Sequence, residues 1–250
     1  MTSLFEGGIL LLAGVAAGTI NTVVGSGSLV TFPILLAFGY APVTANMTNN
    51  LGVLPGSISG AFAYRRELRD QWPRVLRLGT ASLIGGLGGA LLLLWLPAAA
   101  FKAIVPALIL LACVLVLIQP WLRKHTAKRE VQVRMTGTAF LGVLFTGLYG
   151  GYFGAAQGVL MMALLGIILG DGLQRLNALK NVLVATANVA AAVVFIVHGG
   201  IAWEAAGIIA IGSIIGGQIG ARIGRKLPAP VFRAIIVSVG LIAFVKLVAF

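Results

Sequence analysis

Six apolar runs, at residues 43–64, 74–96, 99–121, 172–198, 203–224 and 229–249, dominate this chain, and short gaps between them hold most of its charge. A helix needs about 20 apolar residues to cross a bilayer, so each run predicts one membrane span. Two further stretches, 8–40 and 136–170, are too long for one span and short for two. Glycine and polar residues interrupt both, as GSGS at 25–28 and GAAQG at 154–158. Each stretch predicts two short helices around a break, either re-entrant or fully spanning. Pro33 is expected to kink or start the second short helix. The fold class is therefore an all-α integral membrane protein.

Composition excludes the alternatives. A soluble domain carries about 25% charged residues, whereas this chain has 10% charged and 59% hydrophobic residues, with mean hydropathy +1.04. It cannot cover itself as a cytosolic globule, and it is too apolar to be disordered. Its single cysteine, Cys113, leaves no partner for an intrachain disulfide and no cysteine metal cluster. The start, MTSLFEGGILLL, has no basic segment ahead of its apolar run, so no cleaved signal peptide is expected.

The net charge of +12 comes from 18 Lys+Arg against 6 Asp+Glu. In a soluble protein that excess suggests nucleic acid. Here the basic residues crowd three gaps, so they read as topology signals, and no nucleic-acid partner is expected. Arg65, Arg66, Arg69, Arg74 and Arg77 mark one cytoplasmic loop; Arg123, Lys124, Lys128, Arg129 and Arg134 a second; Arg222, Arg225, Lys226 and Arg233 a third. The gaps near Pro97 and His198-Gly199-Gly200 are almost free of positive charge and face the other side.

The two halves repeat each other. Gly14, Gly18 and Gly25 match Gly147, Gly151 and Gly158 at one spacing. After a two-residue shift, Gly39, Asn46, Asn50, Trp72, Ser82, Gly85, Gly86, Gly89, Ala90, Leu96 and Pro97 match Gly170, Asn177, Asn181, Trp203, Ser213, Gly216, Gly217, Gly220, Ala221, Leu227 and Pro228. The loop before Trp72 is arginine-rich, and the loop before Trp203 has no basic residue. Equivalent loops thus face opposite sides, and the repeats are predicted to be inverted, with an odd number of segments each. The organisation is a first membrane repeat at 1–121, a basic cytoplasmic linker at 122–135 and a second, inverted repeat at 136–250. Inverted repeats with broken helices are an architecture of secondary transporters. A duplicated scaffold without transport, and a channel-like pore, remain open.

The stretch GSGSLVTFPILLAFG, followed by Ala-Asn-Met-Thr-Asn-Asn, resembles the first-half signature of the TauE/SafE or sulfite exporter family. GLYGGYFGAAQGVLMMALLGIILGDGLQRLNALKN resembles its second-half signature, and the likeness runs from Gly8 to Val248. The resemblance implies a multi-pass carrier in a bacterial-type inner membrane. It further implies an exporter of sulfite, organosulfonates such as sulfoacetate, or related small organic anions. Ser26 and Ser28 stand where the family's break is glycine-rich, and they add hydroxyl donors there.

Polar residues inside the spans are the candidate substrate-binding residues, because an unpaired polar group in hydrocarbon costs several kcal/mol, of order 2–7. Asn46 and Asn50 share a helix face, as do Asn177 and Asn181, and amides can hold an anion without trapping it. Hydrogen bonds between spans explain them equally well, and Asn188 fits that second reading better. Lys180, equivalent to Asn49, reads either as a counter-charge at the site or as a lysine snorkelling to the nearby surface. Arg175 is closer to that surface and reads as a topology charge. Gly25, Ser26 and Ser28, with Asn21 beside them, and Gln157 in the second break, with Tyr152 beside it, can present helix N-termini to an anion. Gly85, Gly89, Ala90 and their repeat partners read as packing, and Trp72 and Trp203 as interfacial anchors.

Other chemistries lack residues. The acids Glu6, Glu67, Asp70, Glu130, Asp171 and Glu204 all lie at segment ends or in loops, so no carboxylate relay crosses the spans. His125 and His198 lie in different loops and make no metal site. There is no Walker motif and no nucleophile–base pair, so neither an enzyme nor a cofactor is expected. The expected partners are a small anion and the bilayer, with a homo-oligomer left open.

Overall fold

The computed structural model describes residues 3–126, 137–169, 171–223 and 229–249. Within them every regular element is helical. The signals at Lys128, Arg129, Arg134, Gly170, Arg225, Lys226 and Pro228 lie outside the described residues.

The long apolar runs form α3 (Pro42–Ala63), α4 (Trp72–Trp95), α5 (Ala98–Thr126), α8 (Leu173–His198), α9 (Trp203–Ile223) and α10 (Ala229–Ala249). A short 3-10 turn, Arg65–Leu68, joins α3 to α4. The tail of α5 is longer than expected, so residues 122–126 of the expected linker are helical. The two awkward stretches do break: α1 (Leu4–Val23) is followed by α2 (Ser28–Ala37), and α6 (Gly137–Tyr152) by α7 (Gln157–Leu169). Helices α1, α4, α5, α8 and α9 are long and apolar enough to cross a membrane.

Two expectations change here. Helix α1 is 20 residues long rather than short. It begins at Leu4 because Ser3 Oγ accepts from the Glu6 N–H at 3.1 Å while the Glu6 carboxylate accepts from the Ser3 N–H at 3.1 Å, a reciprocal cap. Helix α2 starts at Ser28, so Pro33 lies inside it and does not start it.

The breaks are built alike. The N–H groups of Val24 and Gly25 both donate to Ile20 O, and Gly25 has φ +91°. Those of Phe153 and Gly154 both donate to Tyr149 O, and Gly154 has φ +77°. Gly25 therefore corresponds to Gly154, one helical turn away from the Gly158 suggested by the sequence match. The slip has a simple origin. Gly18 and Gly25 meet glycines in either register, at Gly151 and Gly158 or, one turn earlier, at Gly147 and Gly154. Beyond the breaks the expected register holds: Ser82 Oγ donates to Leu183 O at 2.6 Å, and its counterpart Ser213 Oγ donates to Gly52 O at 2.8 Å.

Glycine seams tie the helices together. A Cβ on Gly216 would stand 2.0 Å from Val15 O, and one on Gly18 2.2 Å from Ser213 O, so α1 and α9 touch backbone to backbone. A Cβ on Gly89 would stand 2.0 Å from Leu148 O, which does the same for α4 and α6. Gly85 backs onto Leu144, Gly89 onto Leu148, Gly14 onto Ile209 and Gly18 onto Ser213, so each pair runs in the same direction. Helix α3 follows α9 likewise, with Gly52 against Ile209 and Gly56 against Ser213.

These directions sort the helix ends. Trp203, His198 and the starts of α1 and α3 share one end. Arg65, Arg66, Arg69, Arg74, Arg77, Arg175 and Arg222 gather at the other. Tyr40, just after α2, lies close enough to Glu6 and Glu204 that their carboxylates add to burial in raising its phenol above the usual range. The α1–α2 hairpin thus starts and finishes at the end away from the arginines. Asp171, just after α7, pairs with Arg74 at the start of α4, so the α6–α7 hairpin starts and finishes at the arginine end. Both stretches fold back on themselves as hairpins, and the two hairpins open toward opposite ends of the bundle.

Candidate functional site

The two breaks meet. The N–H of Gly158 donates to Gly25 O at 3.0 Å. A Cβ on Gly25 would lie 2.6 Å from the Gly158 Cα, and one on Gly158 2.5 Å from the Gly25 Cα. Only glycine fits at either position, and Gly25 needs it a second time for its positive φ. Beside this crossing sit Ser26 and Gln157, each 1% exposed. The Ser26 hydroxyl and both polar atoms of the Gln157 amide have no hydrogen-bond partner. Gln157 lies across the last turn of α6, since a Cβ on Gly150 would stand 2.2 Å from its Cδ.

The asparagine helices α3 and α8 reach across to the other half's break. The last carbonyls of a helix have no partner within it. At the end of α1, Asn177 Nδ2 donates to Thr22 O at 3.3 Å and Lys180 Nζ donates to Asn21 O at 3.3 Å. At the end of α6, Asn46 Nδ2 donates to Tyr152 O at 2.9 Å. Each broken helix is capped by the opposite half. The ammonium of Lys180 also sits where a helix dipole is negative. Lys180 is 1% exposed, so it does not snorkel.

The other expected residues divide. Asn50 and Asn181 lie one turn further along the faces of Asn46 and Asn177, and both are buried. Asn50 Oδ1 and Asn181 Nδ2 have no partner, and neither does the Tyr152 hydroxyl. Asn49 Oδ1 accepts from the Thr31 hydroxyl of α2, and Asn21 Nδ2 donates to Ser57 Oγ at 2.8 Å. Ser28 is half-buried at the start of α2, and no described bond draws it into the cluster. The packing residues behave as read: Gly85, Gly89, Gly216 and Gly220 line helix contacts, while Trp72 and Trp203 are more than half exposed at helix starts.

Three participants were not expected. Gln119 of α5 is buried and donates to Val24 O at 3.3 Å; a glutamine inside an apolar run was the available signal. Thr31 and Ser57 hold Asn49 and Asn21, and nothing in their spacing marks them. Chemically, the region gathers neutral donors and one ammonium around the crossing. Among the described residues no group of three or more His, Cys, Asp or Glu could hold a metal ion.

The chain resembles known membrane proteins along nearly its full length. The family described as Sulfite exporter TauE/SafE matches residues 10–247. The "Probable membrane transporter protein YfcA" of Escherichia coli K12 is 29% identical over 243 residues, covering 96% of this chain and 88% of that protein. A "Probable membrane transporter protein" of Haemophilus influenzae is 30% identical over 244 residues, covering 96% and 93%. YdhB of Bacillus subtilis, also named a probable membrane transporter protein, is 24% identical over 230 residues, covering 91% and 93%. With its broken helices, buried amides and full-length match, the chain belongs to the sulfite exporter TauE/SafE family of membrane transporters.

Proposed function

We propose that the protein is a secondary transporter that exports small anions, of the class of sulfite, organosulfonates and related sulfur-containing or organic anions. It sits in a bacterial-type inner membrane as two inverted-topology repeats with the arginine end cytoplasmic. Alternating access turns on a substrate site where the repeats meet. The hairpins opening to opposite ends support the inversion, and the clustering of arginines at one end supports the orientation.

One observation carries the substrate reading. Two buried donors without partners, Ser26 Oγ and Gln157 Nε2, flank the crossing of the breaks, and a third, Asn181 Nδ2, lies with the Lys180 ammonium on α8, the helix that caps the end of α1 leading into that crossing. Each unpaired buried donor costs about 1–3 kcal/mol. An anion accepts from all of them at once and removes that cost. A neutral hydroxyl and amides hold it loosely enough to release, and the single cation selects its sign. Asn21, Gly25, Asn46, Asn49, Asn50 and Asn177 complete the site as its frame, and Ser28 starts the short helix that leads away from it.

The test begins with thermal stabilisation of the purified protein by sulfite, sulfate, thiosulfate and small carboxylates. At least one anion should raise the melting temperature saturably. Lys180→Gln should then weaken binding of that anion about 10- to 100-fold, as expected for loss of a charge-assisted hydrogen bond. Lys180→Arg should fall between the two. Efflux from loaded liposomes should saturate with anion concentration. No stabilisation by any anion, or unchanged efflux in well-expressed Lys180→Gln, overturns the reading.

A further inference from the structure

The two capped helix ends differ in one respect. At the end of α1 the opposite half supplies Asn177 and Lys180. At the end of α6 it supplies Asn46, and Asn49 occupies the position equivalent to Lys180. The first end therefore carries a built-in cation, and the second has a neutral amide instead.

Oxygens without partners lie on the two elements that meet at the second end, the α6 break and the α3 face that caps it. Gly150 and Gly151 lie in the last turn of α6, where helical carbonyls lose their following turn. The Gln157 side chain lies directly over Gly150, 1% exposed, and its Oε1 has no partner. Asn50 is 8% exposed, one turn along the α3 face from which Asn46 bonds Tyr152 O, and its Oδ1 also has no partner. Asn49 Oδ1 points to Thr31 of the adjoining α2. All of these oxygens are neutral. None of the described carboxylates lies within the helix interiors; Glu6, Glu67, Asp70, Asp171 and Glu204 belong to the helix ends and the segments joining them.

We infer that the C-terminal end of α6 binds an exchangeable monovalent cation of the sodium class, held by Gln157 Oε1, Asn50 Oδ1 and the last carbonyls of α6. The chemistry selects the ion. Hard monovalent cations take neutral carbonyl and amide oxygens, and helix C-terminal ends supply a negative dipole for them. Calcium and magnesium are bound through carboxylates, which this end lacks. The cation occupies the place that Lys180 fills by covalent attachment in the other half. Filling it deepens the transporter reading, on which its use in coupling rests: the ion draws Gln157 Oε1 toward α6 and leaves Gln157 Nε2 turned toward the substrate.

The test reads cation binding without any transported anion. The purified full-length protein is titrated with sodium gluconate at constant ionic strength, balanced by choline gluconate, and followed by melting temperature and tryptophan fluorescence. Sodium should stabilise saturably, and choline should not. Asn49→Lys places an ammonium as in the first half and should abolish the sodium response while the protein stays monodisperse and folded. Gln157→Leu should also lose the response. Should Asn49→Lys fail to fold, Lys180→Asn serves instead, because it empties the first end and should add a second saturable sodium phase. No sodium-specific stabilisation in the wild type overturns the inference, as does a response unchanged in every folded variant. Anion binding by a protein blind to sodium would defeat this inference alone, whereas sodium binding with no anion response would defeat the substrate reading alone.

Discussion

The glycine seams and the crossing of the breaks are both close backbone contacts, yet they treat polar groups oppositely. In the α3–α9 seam, Ser213 Oγ lies 2.8 Å from Gly52 O and accepts from the Gly56 N–H at 3.1 Å. In the α1–α9 seam Thr19 Oγ1 lies 2.8 Å from Val15 O and 3.0 Å from Gly216 O. At the crossing, Ser26, Gln157, Asn50, Asn181 and Tyr152 each leave a buried polar atom without a partner. Seams spend their hydroxyls on holding the bundle. The crossing keeps its polar groups uncommitted by other side chains, and a bound ligand would give them partners.

The strongest way to break this contrast is to widen a seam. In Gly89→Leu, the new Cβ would stand 2.0 Å from the Leu148 carbonyl oxygen, part of a backbone that cannot turn aside. The expected cost exceeds the about 1–3 kcal/mol of ordinary overpacking, and size-exclusion chromatography should show little monodisperse protein. A monodisperse, normally stable variant would show that the seam is looser than described.

Next comes Ser213→Ala, which removes the hydroxyl that bridges the Gly56 N–H and Gly52 O across the seam. It should destabilise by about 0.5–1.5 kcal/mol, measured as a lower unfolding midpoint, with anion affinity little changed. The Arg74–Asp171 pair at the arginine end is partly exposed, so Arg74→Ala should cost at most about 1 kcal/mol. Raised salt should shrink that difference further. Smallest in stability is Ser26→Ala, which removes a hydroxyl that bonds nothing. Its midpoint should stay within about 0.5 kcal/mol of wild type or rise, while anion stabilisation falls. Equal destabilisation by Ser213→Ala and Ser26→Ala would erase the distinction between seam and crossing.

What the sequence made legible follows the same division. Span boundaries were readable to a residue or two at Pro42, Trp72, Trp203 and Ala229, because apolar length is written in side chains. So was the partnership of Asn46 with Asn177 and of Ser82 with Ser213, since rare letters repeat at one spacing. The register of the first helices was not, because Gly18 and Gly25 meet glycines in both registers, while Gly14 meets one, Gly147, only in the register that the structure does not use. The role of Lys180 was undecidable from its position, because a lysine two turns into α8 reaches the surface or the interior with equal ease. Capping across the halves was invisible for a different reason. Its acceptors, the carbonyls of Asn21, Thr22 and Tyr152, belong to the backbone and leave no mark in composition.

The seam between α1 and α9 bears on how the chain is made. Thr19 and Gly216, which meet in it, are 197 residues apart. During synthesis α1 leaves the ribosome with its glycine face bare, and its covering helix, α9, follows only after α2 to α8 have emerged. Helix α6 meets a partner, α4, that has already emerged. The nascent first half is therefore an unfinished object that the insertion machinery or lipid must shelter. A chain terminated before α9 would present that face to quality control, whereas the two halves made as separate polypeptides carry complementary faces and can complete each other.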